Sequence, residues 1–173
     1  DIQKLCWMNG QYLKKLSDEQ WVQMLTGHVF SQDYLKNIVP LVKERVNVFE
    51  EFIDNTQFFF AGDLKYEGEP LVPKGVAGKQ VAEWLSDIVE KLDAMDGWTV
   101  DQIKAICEAY AKEKELKTRD LYMPLRIAVS GSTVSPPLFE TMHVLGKEMT
   151  RRRMRLAAEH AKKAPMPVAA PTK

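Results

Sequence analysis

Val81-Ala82-Glu83-Trp84-Leu85-Ser86-Asp87-Ile88-Val89-Glu90-Lys91-Leu92 decides the fold class. Val81, Trp84, Leu85, Ile88, Val89 and Leu92 fall at i, i+3, i+4, i+7, i+8 and i+11, a single stripe on a helix of 3.6 residues per turn. Downstream, Thr99 and Gln102 have the spacing of a capping box, in which each side chain satisfies an otherwise orphaned N–H of the other's backbone. The helix they open carries Val100, Ile103, Ile106, Cys107 and Tyr110 on its expected buried face. Upstream, Ser17 with Gln20 repeats the box ahead of a stripe of Trp21, Met24, Leu25 and His28. Further helices are expected over about 3–15, 32–57 with a break near Pro40, 119–129, 136–145 and 147–163. Phe58-Phe59-Phe60 is open to a short strand, although nothing around it alternates. The expected class is all-α.

Bulk properties agree. The chain has 173 residues, 45% of them apolar, which suffices for a real core. No apolar run approaches the roughly 18 residues of a membrane span, and no signal-peptide pattern opens the chain, so a cytoplasmic protein without membrane contact is expected. Cys6 and Cys107 are too far apart in sequence to suggest a disulfide framework, and Cys107 reads as core. Gly62, Gly68, Pro70, Pro73, Gly75 and Gly78 form the densest cluster of breakers and place a subdomain boundary near 75, with helical subdomains over 1–75 and 76–163. The tail 164–173, alanine and proline with little apolar bulk, is expected to be disordered. A start at Asp1 rather than methionine reads as that of a fragment.

Net charge is zero, but its distribution is not even. Residues 1–115 hold 13 Lys+Arg against 20 Asp+Glu, and residues 116–163 hold 10 against 4. Arg151, Arg152, Arg153 and Arg155 supply much of the second surplus. A basic end on an acidic chain suits a polyanion that docks at one place. The plainer reading is a solvated helix face, with some of these arginines paired to Glu148 or Glu159.

No catalytic or metal-binding pattern emerges. Gly75-Val76-Ala77-Gly78-Lys79-Gln80 lacks the spacing of a phosphate loop and the Ser/Thr that would hold magnesium. His28, His143 and His160 are isolated from one another and from both cysteines, so no zinc spacing exists; His28 reads as half-buried and His160 as solvated. Glu50-Glu51 and Glu67/Glu69 read as solvated neighbours rather than an acid/base pair.

Binding remains, and Pro124-Leu125-Arg126-Ile127-Ala128-Val129-Ser130-Gly131, followed by Ser135-Pro136-Pro137-Leu138-Phe139-Glu140, is where it concentrates. A lone arginine in an apolar frame is either an ion-pair partner, here with Glu140, or a reader of planar polar groups. Ser135 has the character of an N-cap and Pro136 of a first helical residue. The proline rings, extended by Leu138, offer a rigid apolar surface better suited to a base than to a phosphate.

These segments also resemble a known family. Lys4-Leu5-Cys6-Trp7-Met8-Asn9-Gly10-Gln11-Tyr12-Leu13 is similar to the segment that follows the catalytic domain of bacterial-type glutamyl-tRNA synthetases. Pro40-Leu41-Val42-Lys43-Glu44-Arg45-Val46 and Phe58-Phe59-Phe60 resemble that family's middle helical region. The Arg126 motif, continuing through Leu145-Gly146-Lys147-Glu148 to the arginine-rich last helix, resembles its C-terminal anticodon-binding domain. The resemblance runs over about residues 3–157.

It implies the C-terminal part of a class I aminoacyl-tRNA synthetase: two helical subdomains forming an anticodon-binding arm, 1–75 contacting the stem and lying near the anticodon, 76–163 binding the anticodon. Neither ATP-handling signature of that class occurs here, so ATP and Mg2+ would belong to the absent catalytic domain, with no cofactor in this part. The implied partner is glutamate tRNA, bound by a monomer, with no role for DNA. By the same resemblance Arg126, Ser135, Pro136 and Leu138 contact the middle of the anticodon. Arg45, with Lys43 as the alternative match, reads the cytosine that ends it. Arg151, Arg152, Arg155 and Lys43 are candidate phosphate contacts. The rival from another class is a helical protein-interaction module without tRNA binding.

Overall fold

A computed structural model describes residues 2–66 and 70–164; most of the expected disordered tail, residues 165–173, lies outside the described residues. The described chain is all-α: α1 (Ile2–Leu13), α2 (Asp18–Met24) running into a π-helical turn (Leu25–Val29), α3 (Gln32–Val42), a 3-10 turn (Lys43–Arg45), α4 (Glu50–Phe60), α5 (Gly78–Asp93), α6 (Val100–Glu113), α7 (Thr118–Ser130) and α8 (Leu138–Lys162). Both expected capping boxes are formed, Ser17 with Gln20 and Thr99 with Gln102. Phe58, Phe59 and Phe60 are the last turn of α4 rather than a strand. The expected break near Pro40 comes later, because α3 accommodates the proline and unwinds only from Lys43.

Two compact units divide between Val39 and Pro40, not at 75 where the breaker cluster placed a boundary. Breakers mark where a helix stops, not where packing stops. Tyr66 and Leu71, within that cluster, belong to the main core of the second unit. In the first unit the α2 stripe of Trp21, Met24, Leu25 and His28 is exposed rather than buried. A unit of that size is below the length at which a chain normally supports its own hydrophobic core.

The second unit is built on α5 and α8, with α6 and α7 against α8. All six stripe residues of α5 are buried. On α6, Ile103, Cys107 and Tyr110 are buried while Val100 and Ile106 lie at the margin. Burial, and secondarily Glu108, pushes the Cys107 thiol up to about 12, so it is an inert core residue. Gly78 lets α5 start against the end of α8, since a Cβ there would collide with the Ala161 carbonyl. Gly146, at φ 81 and ψ 163, breaks α8 into the two helices expected on either side of it.

Near the chain end the structure corrects two surface expectations. His160 is half-buried with its ring 5.8 Å from that of Tyr66, not solvated. Arg153 is fully buried, not a surface charge.

Candidate nucleic-acid interface

The site is built where α7 ends. Gly131 adopts the left-handed conformation (φ 75) that closes a helix without steric cost. The chain then turns through Ser132 and Val134 to Ser135. Pro136 and Pro137 hold the next residues extended, because a residue preceding proline is driven out of the helical region. For that reason Pro136 cannot be the first residue of α8, and Ser135 does not cap it: the helix starts at Leu138 with no side-chain cap.

Ser135 has another role. Arg126 Nη1 donates into a cluster of oxygens: Ser135 Oγ at 2.6 Å, Pro136 O at 2.8 Å and Ser135 O at 3.1 Å. Arg45 Nη1, reaching from the 3-10 turn, donates to the same Ser135 O at 2.8 Å. Two guanidinium groups therefore converge on one residue ninety positions downstream of the first. Glu140 is not the partner of Arg126. Among the described residues neither arginine forms an ion pair, and each is held by Nη1 alone, leaving its Nε and Nη2 donors open. Burial, and then the nearby Arg45 charge, lowers the Arg126 pKa from its ordinary value. It remains a cation, as arginine does in proteins.

Around this pair the expected residues separate. Ser135 and Pro136 are buried, and it is their oxygen atoms that anchor the arginines. Leu138 is 5% exposed and belongs to the core, so it supports the site from behind rather than extending a surface. The exposed apolar groups are Pro137 and, at 78%, Val134. The motif held Pro137 in view, but Val134 carried no sequence signal beyond lying in a turn.

The candidate phosphate contacts are already engaged. Arg152 forms a bidentate pair with Asp63 at 2.6 and 2.8 Å, which holds that carboxyl below its usual range. Arg151 meets Glu148 at 2.6 Å, as expected, and Asp93 at 3.5 Å, while Arg155 lies 3.3 Å from Asp93. Lys43 is exposed and 3.9 Å from Glu44.

A groove of about 500 Å3 adjoins the arginine pair and includes Ser135 in its lining. One wall is α4, with Asp54, Asn55, Gln57 and Phe58, and the other is the turn after α7. Of its lining, sequence reasoning assigned a role only to Ser135. Arg153 fixes both walls from below: Nη2 donates to Phe58 O and Ala61 O at 2.6 Å, Nε to Gly62 O at 3.2 Å and Nη1 to Val129 O at 2.7 Å. A signal for it did exist. Thr150, Arg153, Met154, Ala157, Ala158 and Ala161 keep helical spacing and are all buried, so Arg153 lies on the inward stripe. Among the described residues no group of three or more His, Cys, Asp or Glu is placed to hold a metal ion, and no helix is long and apolar enough to cross a membrane.

Comparison with known proteins follows the same line. The chain is 33% identical over 159 residues to the glutamate–tRNA ligase of Pseudomonas fluorescens and 36% identical over 160 to that of Marinobacter nauticus. Each match covers 92% of this chain and 32% of the relative, so the chain spans about a third of their length. Its fold is similar to crystal structures of the glutamate tRNA ligase from Elizabethkingia meningosepticum in complex with its amino acid (TM-score 0.65, 24% identity) and of the glutamate-tRNA synthetase from Elizabethkingia anophelis (TM-score 0.61, 25% identity). Both cover 92% of this chain and 32% of the other. The family model of the anticodon binding domain matches residues 11–158, and the chain belongs to that family.

Proposed function

We propose that this chain binds glutamate tRNA and reads its anticodon as the C-terminal part of a glutamate–tRNA ligase. The observation that carries the reading is the convergence of Arg45 and Arg126 on Ser135, each anchored by one nitrogen with the remaining donors open. Anticodon bases are unpaired, so a protein reads them by stacking and by hydrogen bonds to their edges. A guanidinium whose position is fixed by one nitrogen offers the rest of its planar fork to such an edge at little further entropic cost. With no carboxylate competing for them, two adjacent cations also draw a polyanion to this end of the molecule.

Within that reading Arg126 contacts the middle of the anticodon and Arg45 the third base. Ser135 and Pro136 act through their oxygens as anchors, and Pro137 and Val134 provide the apolar surface. Lys43 is the first choice for a phosphate, because its 3.9 Å pair with Glu44 is longer and more exposed than the carboxylate pairs that Arg151, Arg152 and Arg155 must leave to reach one. In the ligase the chemistry, with ATP, Mg2+ and glutamate, belongs to the other two-thirds, and the protein works as a cytoplasmic monomer.

The test is a titration of tRNA at constant salt. Arg126→Ala is expected to weaken glutamate tRNA binding by about 1–3 kcal/mol, the worth of a good base contact, with the melting transition retained. Arg45→Gln is expected to reduce discrimination at the third anticodon base specifically. Unchanged affinity for Arg126→Ala, or an equal loss on every tRNA for Arg45→Gln, overturns the assignment.

A further inference from the structure

Resting on the RNA-binding reading above, we propose that the groove between α4 and the turn after α7 receives one unstacked base bearing an exocyclic amine, and that Asp54 is the residue that selects it. The groove's volume, about 500 Å3, lies within the roughly 300–1,000 Å3 of pockets that enclose small molecules. Its lining is mixed in the way a base requires. Phe58, Leu64 and Val134 supply apolar surface, Asp54 and Gln57 supply polar edges, and Lys65 adds a cation able to hold a flanking phosphate.

Asp54 and Gln57 are exposed, and neither side chain makes a hydrogen bond among the described residues. Asn55, between them in sequence, differs, since its Nδ2 donates to Glu51 O at 2.8 Å. The ionised Asp54 carboxylate can only accept, so the edge it recognises must donate. Cytosine N4 is the established amine partner of a carboxylate, and uracil, which carries an oxygen at that place, is disfavoured. The groove reaches Ser135, on which Arg45 and Arg126 converge, so an RNA loop held by those donors is positioned to insert one base beside Asp54.

The experiment uses the full chain and hairpin RNAs carrying the anticodon stem and loop of glutamate tRNA, with each loop cytosine exchanged in turn for uracil. For the wild-type chain one such exchange is expected to lower affinity about tenfold at constant salt. Asp54→Asn changes an acceptor into an amide that can donate to uracil O4, with no bond inside the protein to lose. It should abolish that preference at the same position while leaving the others unchanged. A purely structural or electrostatic role predicts instead a uniform change across all hairpins. Retention of every wild-type preference by Asp54→Asn, or a uniform change, overturns the assignment of Asp54 while leaving RNA reading intact. If the wild-type chain fails to distinguish the native loop from a scrambled one, RNA reading falls, and this inference with it.

Discussion

Arg153 carries a full charge with 0% exposure, stabilised by main-chain carbonyls at four positions. Such a group is expensive to desolvate and more expensive to remove, because the carbonyls it satisfied are then buried without donors. Arg153→Ala is expected to cost at least about 3 kcal/mol in urea denaturation. Its neighbour makes the contrast: Arg152→Ala, which breaks a solvent-exposed pair with Asp63, should cost no more than about 1 kcal/mol. Comparable losses in both would mean that Arg153 is not the anchor described. The pair also shows what a local reading of sequence can miss. Four arginines within five residues look like one patch, and only the helical spacing shared with Thr150, Ala157 and Ala161 tells Arg153 from the rest. Arg126 and Arg45 could be singled out from sequence, but their meeting at Ser135 could not, since it joins residues ninety positions apart.

At the scale of elements, periodicity and capping were legible because they depend on neighbours within two turns. The α5 stripe and both capping boxes formed as their spacing required. The start of α8 was misread because two prolines act on each other: the second denies helical geometry to the first, and Ser135 is freed to hold arginines. The α2 stripe was misread for a different reason, since an amphipathic pattern says which face seeks cover and not whether cover exists. Gly146 gives a sharp element-level expectation. Its φ of 81 with ψ of 163 lies in a region open essentially to glycine alone, so Gly146→Ala should cost about 1–3 kcal/mol. Gly62→Ala serves as the control, because an added Cβ meets nothing within 4 Å and its φ lies outside the left-handed region, and it should be neutral or slightly stabilising. Equal effects in the two would show that the kink in α8 is not conformationally required.

For the molecule as a whole, charge placement turned out to be a coarser guide than it first appeared. The basic surplus of residues 116–163 is real, yet Arg151, Arg152 and Arg155 face Glu148, Asp63 and Asp93. Arg126, from that segment, and Arg45, from the acidic one, have no carboxylate partner among the described residues and are instead fixed on the oxygens of Ser135 and Pro136. In the proposed reading, recognition rests on two fixed guanidinium groups rather than on a diffuse basic face, and this distinction has a measurable consequence. A diffuse face binds any tRNA and weakens for all of them as salt rises. Fixed readers give a ratio of affinities that survives the salt change. The direct measurement is the affinity of this chain for glutamate tRNA and for the same tRNA with its anticodon replaced, at two salt concentrations. The account predicts binding to both that weakens with salt, with the native anticodon favoured about tenfold or more at each concentration. Equal affinity for the two tRNAs at either concentration would contradict it.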